Sequence, residues 1–500
     1  MKNALASILL QVATALSGII VPRFFTAFYG SAVNGLVSSI GQFITYMGLV
    51  EAGISAAGVV ALYKPLAEED HEAISGIVSA ARKFYYNSGL IFIILDVLLI
   101  IAYPFIVQNE ITDIGFIRMM IVILSVNGIV DYFFLGKYRV LLTADQRNYI
   151  ISLVQIAGIV VITVVSIVMI KLEMSALLVK GVVAVVYVAR SIVVIIYARR
   201  RYPYLDLKAK PKTEAIAQRW NALLHQIVGM ICNNTDIILL TLCLTAGALS
   251  EVSVYSVYAL VGYALINLFI MLSNGVTATF GQVMSVGDEE PLKRGFDSYE
   301  YFCFILVFTA YSCMAVLLMP FMQLYSADFS DAQIYTRWLL VGLFTAVGLL
   351  QSIRIPGLTL IMAAGHYKQT QSRAIAEAVI NLGVSLALVF KFGIYGVLIG
   401  TCVSYLYRST DVILYSAKRF IKGTLKKTIL RLIRNAAVFA ILVFLGIKFI
   451  PVHMDSWILW ILWALLAGFV SLAVLMGVNL IFEPAVFKDM LGRIKGMLKR

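Results

Sequence analysis

Apolar residues in this chain are gathered into long runs, most of about twenty residues, separated by short polar segments. A helix of roughly 20 apolar residues is what crosses the hydrocarbon of a bilayer. Fourteen such runs are predicted as helical spans: 5–27, 35–62, 86–107, 114–136, 150–170, 175–197, 222–243, 252–284, 298–324, 334–360, 372–390, 393–416, 435–451 and 456–481. The runs at 35–62 and 252–284 exceed one straight crossing, so they are expected to tilt or protrude. The first run ends at Val21-Pro22-Arg23 with no small-residue cleavage site, and it reads as a first span, not a removed leader.

Composition narrows the class without changing it. Of the 500 residues, 61% are hydrophobic and 13% charged, with a mean hydropathy of +0.92. An average soluble protein carries about 25% charged residues. Burial on folding reaches only about three quarters of the surface even at 300 residues, so a soluble chain could not hide this much apolar area. A soluble enzyme, a disordered chain and a secreted disulfide scaffold are excluded together. The fold class is an all-α polytopic membrane protein.

The net charge of +13 could suggest nucleic acid. Placement of the basic residues argues otherwise. With the N-terminus inside, the alternate segments on that side hold 30 of the 40 Lys and Arg. The opposite segments hold five: Arg118, Lys171, Arg337, Lys391 and Lys448. Five more fall within spans: Arg23, Lys180, Arg190, Arg354 and Arg408. Such asymmetry predicts an even number of spans with both termini cytoplasmic. The basic balance then serves orientation and contact with anionic lipid. The five cysteines, Cys232, Cys243, Cys303, Cys313 and Cys402, sit singly in apolar runs and read as small core residues.

The chain also repeats itself. Residues near 3–200 answer residues near 221–415 at an offset of 216 to 222. Asn3-Ala4-Leu5 answers Asn221-Ala222-Leu223, Pro104-Phe105 answers Pro320-Phe321, and Tyr187-x-x-Arg190 answers Tyr405-x-x-Arg408. Six spans separate the halves, so the duplication is parallel, about an axis along the membrane normal. The predicted organisation is two parallel six-helix lobes plus two C-terminal helices. The N-terminal lobe covers 1–198, a cytoplasmic linker 199–219, and the C-terminal lobe 220–416. A basic connector covers 417–434, two additional spans 435–482, and an amphipathic tail 483–500, with Val486, Met490, Ile494 and Met497 at helical spacing.

Little in the sequence points to catalysis. The histidines are His71, His225, His366 and His453, and no metal-ligand spacing accompanies them. There is no phosphate-binding Gly-x-x-x-x-Gly-Lys-Ser/Thr loop. Neither an enzyme activity nor a cofactor is expected. Ionisable residues at membrane depth carry more information, since each costs roughly 2.5–3.5 kcal/mol on the insertion scale. Glu51, mid-span between small residues, is too short to snorkel, so it faces a cavity or makes a buried hydrogen bond. Asp236, with Asn233 and Asn234 beside it, makes a polar patch in the seventh span that serves either a cavity or helix packing. Glu51 and Asp236 are the candidates for ion coupling. Arg23 either snorkels outward or faces the cavity, and Arg354, beside Pro356, is a further candidate. Asp96 and Asp131 read equally as helix–helix glue. Arg190 and Arg408, in equivalent repeat positions, are expected to snorkel to the inner surface.

Several stretches carry a family resemblance. They are Val21-Pro22-Arg23, Tyr29-Gly30-Ser31-Ala32-Val33-Asn34-Gly35-Leu36, Leu49-Val50-Glu51-Ala52-Gly53-Ile54, Ala61-Leu62-Tyr63-Lys64-Pro65-Leu66-Ala67 and Tyr138 to Arg147. Together they resemble bacterial polysaccharide transporters, the lipid-linked oligosaccharide flippases of the multidrug/oligosaccharidyl-lipid/polysaccharide superfamily. The resemblance implies a MATE-like two-lobed transporter in the bacterial plasma membrane. It would move a polyprenyl-pyrophosphate-linked oligosaccharide outward by alternating access, for cell-surface polysaccharide biosynthesis. Spans one, two, seven and eight would line its cavity, which places Arg23, Glu51, Asn234 and Asp236 there. Implied partners are the lipid-linked oligosaccharide, bilayer lipids, glycosyltransferases and a polysaccharide polymerase, and no nucleic acid. The chain departs from a strongly cationic cavity, having few deep arginines. Alternatives are a cation-coupled multidrug antiporter of the same superfamily, which the deep acids suit, a twelve-span sugar facilitator, and a non-transporting scaffold of a polysaccharide-synthesis complex.

Overall fold

A computed structural model describes residues 2–51, 53–107, 110–216, 219–244, 246–287, 289–489 and 492. Among the described residues the chain is helical, with no strand. The Met490, Ile494 and Met497 positions of the expected tail helix lie outside the described residues, as does the side chain of His225. The helices fall into two compact units, Met1–Val257 and Tyr258–Arg500.

The first unit holds α1 (Lys2–Tyr29), α2 (Ser31–Met47), α3 (Ile54–Ala67), α4 (His71–Val107), α5 (Ile114–Val130), α6 (Gly136–Ala144), α7 (Asn148–Lys171), α8 (Ala176–Arg201), α9 (Arg219–Cys243) and the start of α10 (Ala248–Val286). One apolar cluster joins Phe25, Leu36, Ile40, Tyr103, Ile117 and Leu249, and a second joins Leu62, Ile77, Tyr85, Tyr132, Leu141 and Val194. Helix α2 packs closely on the first turn of α10: a Cβ added at Gly35 would lie 1.7 Å from the Leu249 carbonyl oxygen. Hydroxyls and amides stitch the same face, with Asn34 donating to Ser253 at 2.7 Å and Ser39 and Thr241 sharing a bond at 2.8 Å. Small and hydroxylated residues are the usual material of helix contacts inside a membrane. The segment after α8 folds back on α4, where the Lys212 N–H donates to the Gly76 carbonyl and Arg82 to that of Leu207.

The second unit holds the rest of α10, then α11 (Glu289–Ser326), α12 (Trp338–Ile353), α13 (Ile355–Ala363), α14 (Tyr367–Phe392), α15 (Ile394–Arg419), α16 (Leu425–Phe449) and α17 (Trp457–Phe482). Tyr301, Phe304 and Phe308 of α11 form a core with Val438 of α16 and Leu475 of α17. That core attaches the last two helices to α11.

Each of the fourteen apolar runs falls on helix. Among the described residues, twelve helices are long and apolar enough to cross a membrane. Two runs are missing from that set for different reasons. Helix α9 is described only in part at its start. Helix α15 is full length but carries buried Thr401, Ser404, Arg408 and Ser409, so it has too little apolar character. Those positions face polar partners: Asn381 of α14 donates to Thr401 at 3.1 Å and to Ser404 at 3.3 Å.

The two overlong runs resolve differently. That at 252–284 is one helix, α10, of 39 residues, or about 58 Å at 1.5 Å per residue. That at 35–62 does not continue as one helix. It breaks into α2, a 3₁₀ turn at Gly48–Glu51, and α3, with Gly53 at φ +84° capping α3. Such a left-handed residue is natural for glycine, which has no Cβ to clash. Span ten also divides, at Arg354, with Pro356 opening α13.

The basic segment before the thirteenth run is largely helical, since α16 begins at Leu425. Its Arg431 is 1% exposed and bonds to Asp297, Glu300 and Glu483.

Candidate functional site

The break in span two exposes backbone that no helix satisfies. At membrane depth such backbone is tolerated where protein groups bond it or where it lines a cavity. Both occur here. Ser88 of α4 donates to the Val50 carbonyl at 3.0 Å, and Tyr132 to that of Gly48 at 3.4 Å. Beside the break lies a cavity of about 430 Å³ lined by Thr45, Gly48, Glu51, Ser55, Met230 and Asn234, among others. The break therefore turns Glu51 toward a cavity that it shares with Asn234 of α9. Among the described residues the Glu51 carboxyl has no hydrogen-bond or ion-pair partner. The charged groups acting on it are Arg139 and Asp131.

Asp236 lies one half-turn beyond Asn234 and is 4% exposed. Tyr255 of α10 donates to its carboxylate at 2.7 Å. The residue before it, Thr235, shares a hydrogen bond with Tyr46 of α2 at 2.5 Å. Asp236 is thus built into a helix contact, whereas Glu51 and Asn234 face open space. Arg23 is half-buried on α1, just after Pro22.

Arg354 belongs to a different arrangement, in the second unit. Its Nη1 bonds to Glu377 at 2.5 Å, and its guanidinium lies 4.7 Å from the centre of the Tyr405 ring. Arg408 bonds to the same Glu377 at 3.4 Å and to Asp411 at 2.8 Å, and Arg373 also bonds to Asp411. The expected snorkelling of Arg408 is therefore overturned: it is 6% exposed and held by two carboxylates. Glu377 makes this possible, because a buried guanidinium is tolerated only when paired. Arg190, its repeat counterpart, instead lies 4.0 Å from the Tyr187 ring and packs near Gly158. Asp96 acts as glue between α4 and α5, accepting from Ser125 at 2.5 Å.

Asp131 has a partner that reading the sequence missed. It opens a π-helical turn, Asp131–Leu135, between α5 and α6. Arg139, eight residues on, donates to it at 2.7 Å. The apolar run stops at 136 and leaves Arg139 outside the predicted span, yet helix continues to Ala144. A clue was present: Arg139 precedes Arg354 by 215 positions, close to the repeat offset. A second cavity, of about 610 Å³, opens on this pair and is lined by α1, α6, α7 and α8.

No protein-family model matches the sequence, and no curated protein matches it. Solved structures match its fold. An inward-facing multidrug resistance MATE family transporter of the MOP superfamily superposes with a TM-score of 0.64, over 85% of this chain and 99% of its own, at 14% identity. The lipid II flippase MurJ, in an inward closed conformation, gives 0.68 over 97% of this chain and 99% of its own, at 13% identity. The eukaryotic MATE transporter AtDTX14 gives 0.55 over 85% of this chain and 97% of its own, at 14% identity. The chain has the fold of MOP-superfamily transporters, as its family resemblance implied.

Proposed function

We propose that this chain is a flippase that moves a polyprenyl-pyrophosphate-linked oligosaccharide from the inner to the outer leaflet of a bacterial plasma membrane. The observation that carries the reading is the extent of the fold match. A lipid flippase aligns with 97% of this chain, and multidrug transporters with 85%. The greater coverage suits a chain that continues past the duplicated part with α16 and α17. In this reading both termini are cytoplasmic. Glu51 and Asn234 meet the substrate at the break in span two, and Asp236 and Arg23 act on the cavity from α9 and α1. Arg354 supports the second unit through Glu377. The chain works with the glycosyltransferases and polymerase that make and use its substrate.

The driving force follows from charge. A pyrophosphate headgroup carries about two negative charges, so its outward passage, driven by an inside-negative potential of 100 mV, gains about 4–5 kcal/mol. Glu51 or Asp236 would reset the empty carrier by taking up a proton or sodium ion. The second reading, a cation-coupled multidrug antiporter, is favoured by one observation: the Glu51 carboxyl, without a partner among the described residues, faces a cavity. Leaflet-specific labelling of a lipid-linked glycan in vesicles tests the proposal. Protein-dependent movement of the glycan supports it. Vesicles that extrude organic cations and leave the glycan in place refute it in favour of the antiporter. Vesicles that move neither point to a scaffold.

A further inference from the structure

The second cavity of the first unit has a chemistry of its own. Its charged members, Asp131 and Arg139, cancel each other across 2.7 Å. What remains of the polar lining is uncharged: the amides of Gln11, Asn148 and Gln155 and the hydroxyls of Ser7, Ser152 and Tyr187. A cation entering here would meet the Arg139 guanidinium, and an anion would meet the Asp131 carboxylate. Each amide, by contrast, offers donors and an acceptor side by side. That pattern complements neighbouring hydroxyls on one ligand. Of its five N–H donors, Arg139 spends one on Asp131, and both side chains keep about a quarter of their surface exposed.

Hydrogen bonds also fix α1 against α7 on either side of the cavity. The Asn3 amide donates to the Gln146 carbonyl at 2.7 Å, and its oxygen accepts from the Tyr149 N–H at 2.8 Å. About four turns further along α1, Thr163 of α7 donates to Ser17 at 2.7 Å. Ser7 and Gln11 lie between these two clasps, exposed and one turn apart. At about 610 Å³ the space falls within the range of ligand sites, about 300–1,000 Å³. At the matching offset of 218, Asn148, Ser152 and Gln155 are replaced by His366, Thr370 and Arg373, and Arg373 is bonded to Asp411. At these positions the repeat carries uncharged residues in the first copy and a charged, paired Arg373 in the second.

From this we propose that the cavity between α1, α6, α7 and α8 binds a neutral sugar unit through its amides, its hydroxyls and the Asp131–Arg139 pair. Its use as a subsite for a carried glycan rests on the flippase reading, whereas sugar binding itself does not. The test uses the purified full chain and free ligands, with saturation-transfer NMR as readout. The probes are glucose, galactose, mannose and N-acetylglucosamine, with inorganic pyrophosphate and tetraphenylphosphonium as the charged alternatives. At least one free sugar should receive saturation from the wild type. Ser152→Trp, which fills the cavity, should remove the effect, and Gln155→Leu should weaken affinity about tenfold or more. Ser7→Trp plugs the mouth instead should the Trp at 152 prevent folding. Three outcomes overturn the proposal: no transfer to any sugar, transfer that survives both plugs, or plug-sensitive transfer that is stronger to pyrophosphate or tetraphenylphosphonium than to every sugar. The assay contains no lipid carrier and measures no transport. Sugar binding lost while glycan flipping persists therefore removes this site and leaves the flippase reading standing, and the converse removes the reading and leaves the site.

Discussion

Two regions built from the same repeat have gone opposite ways. In the second unit Arg354, Arg408 and Tyr405 close around Glu377, and Asp411 takes up Arg408 and Arg373. In the first unit Arg190 and Tyr187 occupy the matching positions at the offset of 218 and Arg139 lies 215 positions before Arg354, but Ile159 and Val193 stand where Glu377 and Asp411 would be. One acid remains, Asp131, and it comes from a π-helical turn on a different element. Four or more charges that satisfy one another fill space and lock helices. One neutralised pair surrounded by amides leaves a cavity. Placing or omitting two carboxylates thus decides whether a duplicated site becomes a clasp or a pocket.

Breaking the clasp should have the largest effect. Glu377→Gln removes the shared partner of two buried guanidinia, and losing one side of a buried ion pair costs about 3–5 kcal/mol. Membrane abundance and the thermal midpoint of the purified chain should both fall sharply. Arg408→Gln should follow Glu377→Gln, because it strands Glu377 and Asp411. An unchanged midpoint in both variants would mean that the network contributes nothing to stability.

The pocket side should respond through activity. Glu51→Gln and Asp236→Asn are expected to reduce transport about tenfold or more at near-normal abundance. Asp236 is the sharper case, since its bond from Tyr255 also gives it a structural role. Loss of abundance in Asp236→Asn would assign it to packing. Arg190→Gln should be mild: it gives up one cation–π contact at a half-buried site, worth about 1–2 kcal/mol. If Arg190→Gln proves as damaging as Arg408→Gln, the contrast between the halves fails.

The span pattern and the duplication were legible because apolar runs and repeated short motifs survive as letters. Helix extension by paired charges was not. Arg139 and Arg431 border apolar runs and have the composition of loop residues, yet helix carries both inward, where Asp131, Asp297, Glu300 and Glu483 receive them. Glu377 was unremarkable for the same reason, since its meaning depends on Arg354 and Arg408 arriving from other helices. Glu51 was recognisable as a deep acid among small residues. The break that aims it was harder to read, because Gly53 in the left-handed region matters only once the chain must turn there. Polar α15 is the reverse case: its length marked a span, while its buried polar face needed Asn381 and Glu377 to make sense.

A third cluster extends the comparison beyond the repeat and gives the smallest expected effect. Helices α16 and α17 attach to α11 through Lys427, Arg431 and Arg434 against Asp297, Glu300 and Glu483. Glu483 lies just past the end of α17. Partial burial works against its charge, but the hydrogen bonds and charges of Arg431 and Arg434, with Lys427, outweigh that and hold its carboxyl down at about 2, from an ordinary 4.5. A carboxyl with a depressed value in the folded state stabilises the fold above its unfolded value, and the contribution disappears as pH falls through the folded one. The contribution of Glu483 is therefore intact at neutral pH, declines below about 4.5 and is gone near 2. Other carboxylates titrate over the same range, so the informative quantity is the difference between the thermal midpoints of wild type and Glu483→Gln. That difference should be largest at neutral pH and shrink steadily on acidification through the window. A difference that stays constant with pH would show that the side chain's packing, and not its charge, fastens the last two helices to α11.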